Sequence, residues 1–130
     1  MLTFVNNGSV EAEARLVSGV KLFSRGRLVV SGSGSITTRG ERGHGLLTYA
    51  QGGTVIDLAS VTTEGSGGNG VHGFARGGAD IHIGRITTRE AFADGLSMMF
   101  YNGPVAISIG AIETNGLASD GLWASSEGDI

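Results

Sequence analysis

The chain reads Ile36-Thr37-Thr38 at one point, and the same motif returns as Val61-Thr62-Thr63, Ile86-Thr87-Thr88 and Ile112-Glu113-Thr114. The first residues of these motifs lie 25, 25 and 26 residues apart. A repeat of this length is typical of solenoids, propellers and repeat arrays, in which one unit buries its apolar face only against the next. The repeat therefore governs how the rest of the sequence is interpreted.

Aligned on this motif, the repeats carry apolar residues at matching positions. Leu46, Val71, Leu96 and Leu122 share one position, and the pairs Ile56/Leu58, Ile81/Ile83 and Ile107/Ile109 share two others. Each pair is two residues apart, as on one face of a strand, whereas helical spacing is absent. We predict an all-β protein, a right-handed single-stranded parallel β-helix (β-solenoid). It would have about five rungs of about 25 residues, a rung being one turn of chain with three short strands.

The repeat also predicts the domain organisation. Residues 1–130 are expected to form a single β-solenoid segment that belongs to a longer protein. The rungs are expected at about residues 10–35, 36–60, 61–85, 86–111 and 112–130, with the last rung incomplete. A solenoid has open strand edges at its ends, so end-to-end self-association is expected as well.

Two turns recur in every repeat. The first reads His44-Gly45, Asn69-Gly70, Asp94-Gly95 and Asp120-Gly121. His, Asn and Asp tolerate the left-handed backbone region better than most residues, and glycine adopts it freely. We therefore interpret these eight residues as structural turns and not as metal ligands or catalytic groups. The second turn reads Gly52-Gly53, Gly77-Gly78, Asn102-Gly103 and Gly128-Asp129.

A threonine column accompanies the apolar columns. Thr38, Thr63, Thr88 and Thr114 each lie two residues after the start of a motif. We expect these side chains to point into the core, with their hydroxyls hydrogen-bonded to one another along the stack.

Composition excludes several classes of function. Glycine is abundant, at 24 of 130 residues, and cysteine is absent, which excludes disulfides and thiolate metal sites. Residues 1–89 contain nine Lys and Arg and six acids (+3), and residues 90–130 contain six acids and no Lys or Arg (−6). The basic residues are too dilute to favour nucleic acid as a partner. We expect no cofactor, no metal and no catalytic residue.

The repeats resemble the passenger region of Gram-negative autotransporters. Members of that family carry tandem units of the form Ile-x-Thr-x-Gly…Gly-(apolar)…Gly-Gly-x-(apolar)-x-(apolar). This chain matches the form with Ile36-Thr37-Thr38-Arg39-Gly40, His44-Gly45-Leu46 and Gly52-Gly53-Thr54-Val55-Ile56, and Phe4–Val10 is similar to such a coil. The match extends over nearly all of the chain.

The resemblance implies a function and a location. It implies secretion through the outer membrane to the bacterial cell surface or beyond, and a role in adhesion or virulence. The segment would serve as a non-catalytic stalk or adhesive surface for a host surface protein or carbohydrate. It would touch the membrane only through a translocator that this sequence lacks, as it also lacks a signal peptide.

Alternative functions remain open on the sequence. The chain could be a carbohydrate-active or receptor-binding β-helix of the polysaccharide-cleaving or phage type, since Asp94 and Asp120 would stack one rung apart. Against catalysis, no repeat contains a long loop, so no deep groove is expected. A third alternative is an ice-binding solenoid, suggested by an outward file of Thr37, Thr62 and Thr87 that Glu113 interrupts.

One stripe of large side chains is a candidate partner-binding surface. It consists of Phe23, Tyr49, Phe74 and Met99 in one column, with Trp123 in the neighbouring column of Leu47. Strand alternation from Leu46 directs the column outward, whereas the size of its members favours the core. If it faces outward, it forms a ridge suited to a carbohydrate or protein partner.

Overall fold

A computed structural model describes the backbone of residues 1–127 and the side chains of residues 1–125, and the predicted end of the fifth rung lies outside this part. The described chain consists of strands joined by turns, and it contains no helix long and apolar enough to cross a membrane. The strands are β1 Leu2–Val5, β2 Ser9–Ala12, β3 Val20–Ser24, β4 Leu28–Thr38, β5 Leu46–Ala50, β6 Thr54–Thr63, β7 Val71–Arg76, β8 Ala79–Thr88, β9 Leu96–Tyr101, β10 Val105–Thr114 and β11 Leu122–Glu127.

The strands form two parallel sheets that run along the length of the molecule. Sheet A has the order β1-β4-β6-β8-β10, with β2 also paired to β4, and sheet B has the order β11-β9-β7-β5-β3. Each residue pairs with its equivalent one repeat away, as in the series Leu46, Val71 and Leu96. The predicted parallel β-solenoid of about five turns is therefore confirmed.

The three strand segments predicted for each rung are all extended, but two of them are continuous. Residues 55–58 and 61–63 both lie in β6. In the first rung the equivalent segments are the separate strands β1 and β2, which pair with the two halves of β4. A register shift between Gly32 and Ser35 shows where the two halves of β4 meet. The chain bends at this point within one continuous strand, so no separate turn motif is needed between the two halves.

The core is a stack of identical inward columns. Leu46, Val71, Leu96, Ile56 and Ile81 are all completely buried. Burial of each such side chain stabilises the fold by about 1.5–3 kcal/mol, and the gain is available only when neighbouring rungs are present. The stacked repeats thus share one continuous core.

The threonine column points inward as predicted, since Thr38, Thr63 and Thr88 are completely buried. The predicted hydroxyl-to-hydroxyl bonds along the stack are wrong, however. The hydroxyls of Thr38 and Thr88 donate to the carbonyl oxygens of Gly43 and Ala93, each at 2.8 Å, within their own rung. These two threonines fasten the turns that follow them, whereas the buried hydroxyl of Thr63 has no hydrogen-bond partner among the described residues.

The first glycine turn has a different cause from the one predicted. Gly45, Gly70 and Gly95 do not have positive φ, and neither do the residues before them. The left-handed residues lie three positions before each turn glycine, at Leu16, Arg42, Gly67, Phe92 and Ala118. Glycine is required at the turn because rungs approach closely there: a Cβ on Gly45 would lie 2.6 Å from the carbonyl oxygen of Gly70.

Candidate functional site

The outer face of sheet B carries the predicted stripe. Phe23, Tyr49, Phe74 and Met99 are in register on successive strands, and we name these four residues the aromatic ridge. Phe23 is 58% exposed, and Tyr49 and Met99 are 38% and 39% exposed. The direction that the sequence left open is therefore outward.

The rings of the aromatic ridge stack on one another. The Tyr49 and Phe74 rings are nearly parallel, at 9°, with centroids 4.8 Å apart, and the Phe23 and Tyr49 centroids are 6.0 Å apart. The separation of the Tyr49 and Phe74 rings matches the strand spacing of about 4.8 Å, so these in-register rings meet without distortion. Tyr49 and Phe74 therefore cover one face of each other, whereas the Phe23 ring is tilted by 46° to that of Tyr49 and stays largely exposed.

Basic side chains of the chain itself already lie over these rings. The ammonium nitrogen of Lys21 is 5.4 Å from the Phe23 centroid. The guanidinium carbon of Arg76 is 5.7 Å from the Phe74 centroid and 5.8 Å from that of Tyr101. Such distances are those of cation–π contacts. The rings of this face thus attract cations.

An open groove of about 640 Å³ runs beside the aromatic ridge. The ridge forms one wall, and Asp94, Asp120 and Ala118 from the turns form the other. The next outward column forms the floor, with Leu47, His72, Ser97 and Trp123. Side chains from all five rungs line the groove, which makes it the main concave surface of sheet B.

In the floor of the groove a small residue stands between two rings. Ser97 pairs with His72 on one side and with Trp123 on the other. His72 and Trp123 are therefore two rungs, or about 10 Å, apart along the stack. Ser97 has the smallest side chain of the floor column and is 9% exposed, so larger neighbours flank it on both sides.

The wall that contains Asp94 and Asp120 is held by a ladder of side-chain acceptors. The backbone N–H of Asn69 donates to Nδ1 of His44 at 2.9 Å. The N–H of Asp94 donates to Oδ1 of Asn69, and the N–H of Asp120 donates to Oδ1 of Asp94, both at 2.8 Å. We name this series the turn ladder. It explains why His, Asn and Asp occupy the position, because each offers an acceptor to the rung above.

Two histidine rings stack at the N-terminal end of the turn ladder. The His44 and His72 rings are 4.6 Å apart at 16°. Burial, and then the neighbouring His72, lower the pKa of His44 to about 4. Burial also lowers the pKa of His72, an effect that Asp94 partly opposes. Both rings are consequently neutral at pH 7, as Nδ1 of His44 must be to accept a hydrogen bond.

We expect the chain to lose stability as the pH falls from about 6.5 to about 4. In this window the unfolded chain binds a proton at His44 and the folded chain does not, so protonation favours unfolding. Solvent screens the partly exposed His44 ring and reduces the effect, so we expect the free energy of unfolding to fall by about 1 kcal/mol. This corresponds to about 4 °C in Tm. Thermal melts at both pH values provide the measurement.

The matched control is His44→Asn, because Asn69 performs the same bonding one rung above. The variant should match the parent at pH 7.5 and lose about 4 °C less at pH 4. Equal losses in the two proteins would show that His44 does not control the effect.

Sheet A brings another set of chemically reactive residues into register. Asp57 pairs with His82, and His82 pairs with Ser108. All three are exposed, and no hydrogen bond joins their side chains in the part of the chain that the structure describes. Nucleophilic catalysis needs the serine, histidine and carboxylate within hydrogen-bonding reach. This arrangement therefore does not activate Ser108.

The side chains described, those of residues 1–125, contain no group of three or more His, Asp or Glu that could hold a metal ion. The groove itself was not predicted. No long loop was present to signal it, and it arises from small residues between large ones in adjacent columns. The sequence signal for the groove was a small residue between large ones in the floor column, which consists of Leu47, His72, Ser97 and Trp123.

The fold and this surface define a parallel β-solenoid with an aromatic-walled groove on one sheet. Comparison of the chain with protein-family models, curated proteins and solved structures finds no match. Its function must therefore be inferred from the geometry of the described residues.

Proposed function

We propose that this chain is a non-catalytic segment of a cell-surface or secreted β-helical passenger of the autotransporter type. In this proposal the solenoid is the rigid stalk, and the aromatic ridge with its groove is the adhesive surface. The supporting observation is the outward position of Phe23, Tyr49, Phe74 and Met99. Contiguous exposed apolar surface on a soluble protein is typical of an interaction site.

The position of the ridge favours a binding role over a packing role. Inward neighbours of the ridge, such as Thr48 and Met98, already fill the core and are buried. The outward rings therefore add little to the core. Their mutual stacking holds them in fixed positions, which lowers the entropy lost when a partner binds.

Attachment of protein-coated beads to cultured epithelial cells tests this proposal. The ridge variant combines Phe23→Ser, Tyr49→Ser and Phe74→Ser, since Ser125 already occupies this column in β11. We expect attachment to fall at least fivefold. Prior trypsin treatment of the cells should abolish attachment if the receptor is a protein, whereas periodate treatment should abolish it if the receptor is a carbohydrate.

The control for this experiment lies on the opposite sheet. Val29→Ser and Val55→Ser change an outward column of sheet A, where the two residues are paired. This variant should attach as the parent does. Equal attachment by the parent and the ridge variant would refute the adhesive role of the ridge.

The groove also favours a second candidate, a carbohydrate-active β-helix. Asp94 and Asp120 lie on one wall on successive rungs, about 4.8 Å apart along the stack, and the two carboxyl groups of retaining glycosidases are about 5–5.5 Å apart. Release of reducing ends from polysaccharides, lost in Asp94→Asn, would support this candidate. Absence of release from a panel of neutral and acidic polysaccharides would remove it.

A further inference from the structure

The groove combines aromatic walls with carboxylates that have no partner cation. Among the side chains of residues 1–125, neither Asp94 nor Asp120 forms an ion pair, whereas the ion pairs present join Arg15, Arg39 and Arg89 to glutamates. Asp94 uses Oδ1 in the turn ladder, which leaves Oδ2 for a ligand. The groove wall thus carries two negative charges directed along one edge.

No Lys or Arg of residues 90–130 offsets this local charge. Residues 90–130 contain six acids and no Lys or Arg. Asp94, Ser97, Met99, Asp120 and Trp123 come from this acidic part and line one end of the groove. The opposite end lies near Lys21, which pairs with Leu47 in the floor column. The groove is therefore electrically polar, with its negative end at the fourth and fifth rungs.

We propose that the groove binds an extended peptide segment with Lys or Arg side chains, one of which is seated over Ser97. This inference rests on the proposed adhesive role of the same surface and names the chemistry of its partner. A cationic side chain there would place its apolar stem against Trp123 and Met99 and its charge near Asp94 and Asp120. The chain's own Arg76, over Phe74 and Tyr101, shows that cations bind such rings.

The dimensions of the groove fit such a ligand. It contains residues from five rungs, a length of about 19 Å at the strand spacing. An extended peptide of about six residues has this length. The interval of about 10 Å between His72 and Trp123 admits one cationic group, with a ring about 5 Å away on each side. An extended peptide can place alternate side chains into the groove.

The probe for this inference is an acetylated and amidated peptide of alternating glycine and arginine, nine residues long. Trp123 is the only tryptophan in the chain, so its fluorescence reports binding at this end of the groove. We expect saturable quenching or enhancement that weakens as salt is added. The same peptide with citrulline in place of arginine keeps the shape and removes the charge, and it should bind at least tenfold more weakly.

Paired charge variants locate the site. Asp94→Asn with Asp120→Asn removes both charges, and the fold tolerates the change because Asn69 serves the same ladder. We expect the Kd for the arginine peptide to rise about tenfold. Asp57→Asn with Asp80→Asn removes the same charge from the exposed face of sheet A and should leave the Kd unchanged. Circular dichroism melts confirm that both variants fold.

Three results would overturn the inference. They are equal binding of the citrulline peptide, equal weakening by the two charge variants, and no binding detected by fluorescence or calorimetry at 1 mM peptide. These results are distinct from a failure of the proposed function. Ridge-dependent bead attachment without peptide binding overturns only the cationic partner, whereas peptide binding without ridge-dependent attachment overturns only the adhesive role.

Discussion

Gly70→Ala is expected to destabilise the chain by at least 3 kcal/mol, and in practice to prevent it from folding at 37 °C. A Cβ at Gly70 would lie 2.5 Å from the carbonyl oxygen of Gly95 and would collide with Cγ2 of Ile86. The oxygen belongs to the backbone of the next rung, and Ile86 is completely buried. Neither can move without separating two rungs, which makes this one of the most costly kinds of overpacking.

Gly121→Ala is the matched control, because it is the same change in the same column. Among the described residues its Cβ would meet only Cγ2 of Ile112, at 3.6 Å, an ordinary van der Waals contact. We expect this variant to lose less than about 0.5 kcal/mol. Urea unfolding followed by circular dichroism measures both. Similar stability of the two variants would show that close approach of the rungs does not explain the glycine column.

Phe100→Ala should lower the free energy of unfolding by about 3–5 kcal/mol. Phe100 is 2% exposed and is the largest completely buried side chain described. It shares its column with Ala75 and Ala50, which lie on the two preceding strands of sheet B, β7 and β5. Because those alanines cannot expand into the space, truncation leaves a cavity in the middle of the stack. Urea unfolding provides the measurement.

Phe92→Ala deletes the same atoms from a solvent-exposed position and serves as the control. Phe92 is 64% exposed. Its removal should change the free energy of unfolding by less than about 0.5 kcal/mol. A small effect at both positions would mean that Phe100 is not an essential part of the core.

Much of the fold could be predicted from the sequence because a solenoid repeats its local rules. Columns such as Leu46, Val71 and Leu96 are visible as soon as the period is known, and the structure pairs those residues. The inward position of Thr38 follows from strand alternation. These features depend on period and alternation alone, which the sequence states directly.

Features that depend on contacts between rungs could not be predicted in this way. The glycine of the first turn was assigned to backbone conformation, yet Gly45 is needed for its proximity to Gly70. Thr38 bonds a carbonyl of its own turn instead of its neighbour in the column. In both cases the sequence correctly indicated a structural role for the residue. The contact that explains the role is made with an atom elsewhere in the chain, which the repeat pattern does not identify.

The candidate site was predicted in part. The stripe of Phe23, Tyr49, Phe74 and Met99 was identified, but its direction was left open, because ring size and alternation gave opposite answers. The groove beside it was missed because it depends on the absence of volume at Ser97. Such a space has no sequence motif of its own. It becomes visible only when the floor column is considered together with its neighbouring columns.

The turn ladder joins successive rungs by hydrogen bonds of one polarity. Each of its bonds has the acceptor on the earlier rung and the donor on the later rung, from His44 to Asn69, Asp94 and Asp120. The backbone bonds beside them have the opposite polarity, since the N–H of Gly45 donates to the carbonyl oxygen of Asn69 and the N–H of Gly70 to that of Asp94. Each junction between rungs therefore uses donors and acceptors from both sides, so a folded rung offers both kinds of group to a neighbour on either side.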